Sequence, residues 1–505
     1  MTISKSDYML YLKHPAWVWL KKFDKNKLPP VDDNLQAMFD AGHDFESYAE
    51  QLFPGATKLG FSNYNEYLSL PARTTQALDG EVEAIFQGRF EVEGLTCIVD
   101  ILQKNPDDSF DLIEIKASTK AKPEHEYDLA FQLLVLEKSD LKIRKIVVMH
   151  ANKEYVRDEQ IDVASLISKT DITDSVRALM STTLLQVDMA RSVLSKDHMP
   201  DISPRYVNQL NIPRVGSQWL EEWLAIFESL QEIKLDKYSI YNLAYPSPEQ
   251  LGKLEDMSIT TIEEMSEGQA LREKQAIQVK TTKTNQRVID KDKIKEFIKT
   301  FQYPLYFFDY ETMSSVIPQF DGMSPYQDYP FQYSLHVIDK PDGEVKHVEY
   351  LHDQASNPMP GLLKQLQADT GEIGTVLTWN MNYEKGCNDR MASLYPEYAD
   401  FLGKLNERIE DLMTPFSKMW FFDKDFFGSA SIKYVLPALV PELKHSNLDV
   451  SDGLHARRLW TETFLKGEHE GSEEQILEEL SKYCTLDTYA MVRIYQLLRK
   501  IVGES

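Results

Sequence analysis

The stretch "PLYFFDYETM", residues 304–313, decides how the C-terminal half of this chain is read. Its aromatic and aliphatic residues read as a strand buried on both sides. Asp309 and Glu311 interrupt that run. Alternate residues of a strand share a face, so the two carboxylates point one way while Phe308 and Tyr310 point the other. Two like charges are costly to bury unless something positive sits between them. Convergent carboxylates suit a hard divalent cation such as Mg2+ or Mn2+. The bland alternative is a strand end that reaches solvent, where two acids need no partner.

Outward from this strand, two further segments carry acids into apolar settings. Residues 472–502 read as one long helix whose apolar stripe runs through Ile476, Leu480, Cys484, Met491, Ile494 and Leu498. Asp487 falls on that stripe, and Tyr483 lies one turn before it. A cation shared with Asp309 and Glu311 would give Asp487 a partner. A helix cap or an ion pair to Arg493 or Arg499 would do so too. In "VLTWNMNYEKG" a buried strand ends at Asn380 and Glu384 opens the next helix. The helix dipole favours an acid there, and strand C-termini in open α/β sheets are where ligands collect. Asp411, in "RIEDLMTPF", is an alternative third carboxylate.

A second cluster lies near the N-terminus. "CIVDIL" is followed by "FDLIEIKAS". Asp100 ends one strand, and Glu114 and Lys116 share a face of the next, with Ile113 and Ile115 on the other. An Asp, a Glu and a Lys together suit one-metal phosphodiester cleavage: the acids hold a cation and the lysine stabilises charge or positions water. An isolated Glu-x-Lys is more commonly a cross-strand ion pair.

The 505 residues exceed what one hydrophobic core serves, so two or three domains are expected. Strands and helices alternate over residues 1–160 and again over 300–505. Between them, residues 161–299 read as a helical connector, with helical spacing in "SVRALMSTTLLQVDMARSVL" and "SQWLEEWLAIFESLQEI". No apolar run reaches the roughly 18 residues of a membrane span, and no signal-peptide cleavage site follows "YMLYLKHPAWVWLKK", so a cytoplasmic location is expected. Cys97, Cys387 and Cys484 are too dispersed for a disulfide framework or a close-spaced cluster site. A net charge of −25 argues against a protein coated in nucleic acid, but not against a local basic channel. Residues 1–30 carry six Lys against two Asp, and residues 272–300 nine Lys or Arg against four acids. Solvated surface explains either stretch equally well.

"DYE" on a first strand, "NMNYE" after a later one and "YCTLD" on a last helix resemble the three motifs of the DEDDy-type 3′→5′ exonucleases. That resemblance implies a ribonuclease H-like fold in which Asp309, Glu311, Glu384 and Asp487 hold two Mg2+ or Mn2+ ions, and Tyr483 orients the attacking water. Glu384 stands where the family has Asp, so Asp411 stays open as a substitute or support. The rest of this half resembles a bacterial two-domain family whose C-terminal half is a domain of unknown function akin to these exonucleases. Asp100, Glu114 and Lys116, followed by Gln132 in "YDLAFQLLVLE", resemble the RecB-type PD-(D/E)xK nucleases. This implies a restriction-endonuclease-like domain, with Gln132 contacting the site and Glu46, in "GHDFESYA", as the upstream acid. Many such relatives carry an iron–sulfur cluster, and the cysteine positions here imply none. The expected function is a metal-dependent nuclease on DNA or RNA, single-stranded or with a free 3′ end. The alternative is a nucleic-acid-binding scaffold with one or both sites inactive. Oligomeric state is not legible.

Overall fold

The computed structural model describes residues 2–208, 211–212, 215–232, 234–266, 271–443 and 449–503. The chain is mixed α/β and forms two compact units. No helix among the described residues is long and apolar enough to cross a membrane.

Unit 1 comprises Met1–Leu235, Ser247–Met257 and Ser315–Tyr326. Its sheet is built from β1 (Ile3–Ser4), β2 (Thr57–Lys58), β3 (Ala84–Val92), β4 (Leu95–Lys104), β5 (Phe110–Lys116), β6 (Ile143–Ala151) and β7 (Ile167–Asp171). The order is β2-β3-β4-β5-β6-β7, with β1 parallel to the start of β4. β3, β4 and β5 form an antiparallel meander, and β5 runs parallel to β6. The helix Pro123–Lys138 makes that parallel crossover and is buried along almost its whole length, as its leucine-rich sequence requires. Tyr8, Phe131, Leu133, Val148, Val187 and Trp223 close the main core.

Unit 2 comprises Asp236–Pro246, Ser258–Ser314 and Gln327–Ser505. A short ribbon pairs β8 (Val288–Ile289) with β14 (Phe421–Phe422). The main sheet contains β9 (Leu305–Met313), β10 (Tyr329–Ile338), β11 (Val345–Leu351), β12 (Thr375–Thr378) and β13 (Ile409–Asp411), ordered β11-β10-β9-β12-β13. β10 is antiparallel to both β9 and β11, while β12 is parallel to β9 and β13 parallel to β12. The central strand β9 is the one read as buried on both sides, and only Asp309 in it is partly exposed. Phe308 packs on Tyr333, and Tyr310 donates to Asn388 Oδ1 at 2.9 Å. The opposite face carries Phe307 onto Tyr495 of the last helix, Glu473–Val502. That helix has acids in its first turn and Arg499 and Lys500 in its last, and it ends at Gly503, whose φ of 80° only glycine adopts freely.

Residues 161–299 are helical for the most part, but they do not form a unit of their own. β7 hydrogen-bonds to β6 within the first sheet, and Val187 and Trp219 belong to the first core. Residues 258–299 belong to unit 2. The predicted helix 217–233 is observed as Gly216–Gln231, and Ile233 lies outside the described residues. Residues 315–326, expected with the C-terminal half, belong to unit 1. Val316 and Ile317 are buried with Phe86, Ile113 and Met149, and Tyr326 donates to Ala117 O at 2.7 Å. Arg157 fixes the same segment by donating to Pro318 O and Gln319 O at 2.9 and 2.6 Å.

Candidate metal centre in unit 2 and lysine-filled acid cluster in unit 1

In unit 2, β9 presents Asp309 and Glu311 toward the last helix. One oxygen from each carboxylate and the Cys484 sulfur all lie within 4.8 Å of one another. Burial, then the Asp487 charge, pushes the Asp309 carboxyl well above the usual carboxylate range. Burial, then Asp309 and Asp487, does the same to Glu311, opposed by Arg457. Asp487 is itself buried on the helix stripe. Arg493 and Arg499, its alternative partners from sequence, instead bind Glu442 and Asp342, each at 2.8 Å.

Glu384 sits in the first turn of the helix Met381–Leu394, which leaves β12 through Asn380 in a left-handed turn, φ 83°. It is buried, its Oε2 has no hydrogen-bond partner among the described residues, and burial followed by the Asp309 charge raises its pKa well above normal. Asp411, the alternative, is committed to backbone: its Oδ1 accepts from Asn380 N at 3.1 Å and Met413 N at 2.9 Å. Asp411 therefore ties the turn that delivers Glu384 and reaches the cluster through that residue's charge. Tyr483 is buried, and burial, then Asp487, Glu311 and Asp309, drives its phenol pKa far up. Asp309, Glu311 and Glu384 carry no ion pair to lysine, arginine or histidine among the described residues.

Two features of this site were not read from sequence. Apolar periodicity places Cys484 on the core stripe, and its position three residues before Asp487 puts it on the same helix face as that acid. Arg457, on the helix Gly453–Trp460, donates to Thr312 O and Oγ1 at 3.0 and 3.1 Å and to Asp328 at 2.7 Å. That helix begins so close that a Cβ on Gly453 would lie 3.5 Å from Glu311 Oε2.

In unit 1 the acids meet their positive charge within the chain. Lys116 Nζ donates to Glu114 Oε1 at 2.6 Å and to Asp128 Oδ2 at 2.8 Å. Lys5 Nζ reaches the same Glu114 oxygen at 2.9 Å and Asp128 at 3.6 Å. Gln132 Nε2 donates to Glu114 Oε2 at 2.8 Å and to Asp128 Oδ1 at 3.0 Å. Asp100 accepts from Ile115 N at 2.8 Å; burial, then Glu114, raises its pKa to about 7 against the pull of both lysines. Burial would raise Glu114 too, but Lys116 and Lys5 outweigh it and hold that carboxyl below its usual range. Lys5 arrives because β1 pairs with β4 and Ser4 caps the helix Lys5–Lys13 in a capping box with Asp7. That pairing left no local signal in the sequence. Asp128 did leave one: it lies four residues before Gln132 on one helix face. Glu46 bonds to Gln87, and its charged neighbours are Glu50, His43 and Lys58; among the described residues no hydrogen bond or ion pair joins it to Asp100, Glu114 or Lys116.

A family described as a domain of unknown function, DUF2779, matches residues 306–431. That span contains Asp309, Glu311, Glu384 and Asp411 and stops short of Tyr483, Cys484 and Asp487. The chain is also 23% identical over 217 residues to the uncharacterized protein MG366 of Mycoplasma genitalium, covering 39% of this chain. It spans 32% of the length of that curated relative. A crystal structure of SSO0001 aligns with 43% of this chain and 86% of its own at 13% identity and a TM-score of 0.15.

Proposed function

We propose that this protein is a metal-dependent nuclease, with a 3′→5′ exonuclease site in unit 2. The observation that carries the reading is the convergence of buried carboxylates, Asp309, Glu311 and Glu384, that no cationic side chain neutralises by an ion pair among the described residues. Buried carboxyls of this kind are either protonated or neutralised by a cation from outside the chain, and a bound cation keeps them ionised at neutral pH. The orphaned Glu384 oxygen and the all-oxygen character of the carboxylate set fit Mg2+ or Mn2+. Asp309, Glu311, Glu384 and Asp487 would hold the metal. When bound, such ions supply Lewis-acid stabilisation of charge developing on a phosphate.

The chain's own residues do the rest. Tyr483 keeps its proton at Oη and can orient a water or a phosphate oxygen by donating to it. Arg457, whose charge opposes the upward shift of Glu311, is held by Thr312 and Asp328 at the border of the acid cluster. The mixed sheet, with β9 central, β10 antiparallel to it and β12 parallel to it, supports a ribonuclease H-like assignment. The antiparallel meander followed by a parallel crossover supports a restriction-endonuclease-like assignment for unit 1. DNA or RNA with a free 3′ end, and a cytoplasmic location, belong to the same proposal.

Unit 1 supports a second reading for its own site. Every carboxylate oxygen of Glu114 is already taken, by Lys5, Lys116 and Gln132. This favours a nucleic-acid-binding role there over a second cutting site.

Incubating the protein with Mn2+ and end-labelled single- and double-stranded DNA and RNA tests the proposal. Mononucleotides should be released from 3′ ends, and no release from any substrate would sink it. Tyr483→Phe keeps every ligand and should slow release by roughly 10- to 10³-fold, the range for one lost catalytic hydrogen bond. Glu384→Gln should lower activity by at least ~10²-fold by removing a ligand, whereas Asp411→Asn, which loosens a turn, should cost less. Equal losses in the two variants would return Asp411 to the ligand set.

A further inference from the structure

We propose that Cys484 is a third donor at the Asp309–Glu311 cation site, making that position prefer a thiol-accepting cation, Zn2+ or Co2+, over Mg2+. The inference rests on the metal-site reading above, but not on nuclease activity.

Geometry comes first. Donor atoms about 2.0–2.3 Å from one tetrahedral cation stand about 3.3–3.8 Å apart, so donors that lie within about 1 Å of that spacing need only small side-chain movements to close on an ion. The Cys484 sulfur and one oxygen each from Asp309 and Glu311 already lie within 4.8 Å of one another without any ion drawing them in. They come from two different elements, a central strand and a facing helix, so the arrangement is no accident of sequence proximity. Cys484 is fully buried and forms no disulfide. A buried cysteine often serves only as a small apolar side chain. That role does not account for the two carboxylate oxygens within 4.8 Å of the thiol.

A second observation comes from Gln332. It is fully buried and stands opposite Glu311 in the β9–β10 ladder, so both side chains enter the layer beneath the last helix. Its Nε2 donates to Leu480 O at 3.1 Å, one turn before Cys484. Its Oε1 has no hydrogen-bond partner among the described residues. An unsatisfied, buried oxygen on the ladder partner of Glu311 is the kind of group a cation or its bound water satisfies. Asp309, Glu311, Cys484 and Gln332 thus offer a mixed oxygen–sulfur set. Thiolate donors shift selectivity toward zinc-like ions and away from magnesium. The S–H proton leaves to solvent as the sulfur–metal bond forms.

Titration of Co2+ into metal-free protein provides the test. The unsubstituted protein should develop a thiolate-to-cobalt charge-transfer band in the near ultraviolet along with the visible bands of bound Co2+. Cys484→Ser should lose the charge-transfer band, retain the visible bands, and weaken Zn2+ or Co2+ binding by about 10- to 100-fold with little change for Mg2+. Cys387→Ser, which alters the other buried thiol of unit 2, should change neither signal. Zinc X-ray absorption on the unsubstituted protein requires no variant and should show a sulfur scatterer at about 2.3 Å. Co2+ bound without the charge-transfer band, or zinc with oxygen and nitrogen neighbours only, would overturn the role of Cys484 and leave the carboxylate site standing. Absence of any Co2+, Zn2+ or Mn2+ binding by calorimetry would overturn both.

Discussion

Asp309→Asn should make the metal-free protein more stable and the metal-dependent activity at least ~10³-fold lower, several kcal/mol of transition-state stabilisation being what a catalytic metal supplies. The stability gain follows from charge. Asp309, Glu311, Glu384 and Asp487 share one buried region, and their mutual repulsion adds to the cost of burial. A neutral amide of the same shape removes one charge from that set. Relief of buried charge is worth on the order of 2 kcal/mol, a rise of roughly 4–8 °C in the melting temperature of a unit this size. The pH dependence gives the sign. Asp309, Glu311 and Glu384 titrate higher in the folded chain than in the unfolded one, so between the two values the folded state holds more protons. Stability of the unsubstituted, metal-free protein should therefore fall as pH rises above the ordinary values of 3.8 and 4.5, and the advantage of Asp309→Asn should widen over the same range. At low pH the two proteins should converge. Saturating Mn2+ should reverse the order, because the unsubstituted protein gains about 2.7 kcal/mol at a hundredfold excess over Kd while the variant gains less. Thermal melts across pH, with chelator and with Mn2+, read all three effects. A variant that melts below the unsubstituted protein in chelator at neutral pH would show that Asp309 is stabilised by a partner within the chain.

Much of the unit 2 site was legible because its parts are local patterns. Period-two alternation put Asp309 and Glu311 on one face of β9, and period-3.6 spacing put Asp487 and Tyr483 on the inner stripe of the last helix. A helix start after a buried strand marked Glu384. Cys484 escaped notice because a cysteine on an apolar stripe reads as core; only the register of helix against strand brings its sulfur to the carboxylates. Arg457 lies 146 residues along the chain from Glu311, and no periodicity links the two. In unit 1, Lys5 depends on the pairing of a two-residue strand with β4, which local propensity does not encode. The same limit explains residues 315–326. Their attachment to the first core rests on Val316 and Ile317 packing with Phe86, Ile113 and Met149 and on the Arg157 fork, all partners distant from the segment in sequence. Helical spacing marked the helices Thr173–Leu194 and Gly216–Gln231, but it says nothing of which core a helix covers.

Glu114→Gln should act in the opposite direction from Asp309→Asn, destabilising the protein by about 3 kcal/mol, the scale of breaking a buried ion pair on one side. The residue class and the isosteric change are the same; the surroundings differ. Glu114 holds Lys5 and Lys116 on one oxygen and Gln132 on the other. Removing its charge leaves two lysines facing Asp128 and the partly protonated Asp100. Each lysine side chain is about one quarter exposed, so water recovers part of the loss. Lys5→Met should cost less, because Lys116 still neutralises both acids. The two substitutions together should cost less than their sum, since each removes the same interaction. The pH window is set by the shifts. Glu114 titrates below its ordinary value of 4.5, so its contribution is complete above that pH and is lost as pH falls through the lowered folded value. Lys5 titrates above its ordinary 10.5, so its contribution is complete below that pH and is lost only as pH rises through the raised folded value. Asp100, which the Glu114 charge helps raise to about 7, titrates lower in the variant, so the gap between Glu114→Gln and the unsubstituted protein should narrow as pH rises toward 7, stay flat from about pH 8 to pH 10, and close on the acid side as Glu114 itself protonates. Adding Mn2+ should leave the gap unchanged if the lysines are the resident cations of this cluster. A gap that widens with Mn2+, and an activity lost in Glu114→Gln but retained in Asp309→Asn, would make unit 1 a second metal-dependent cutting site.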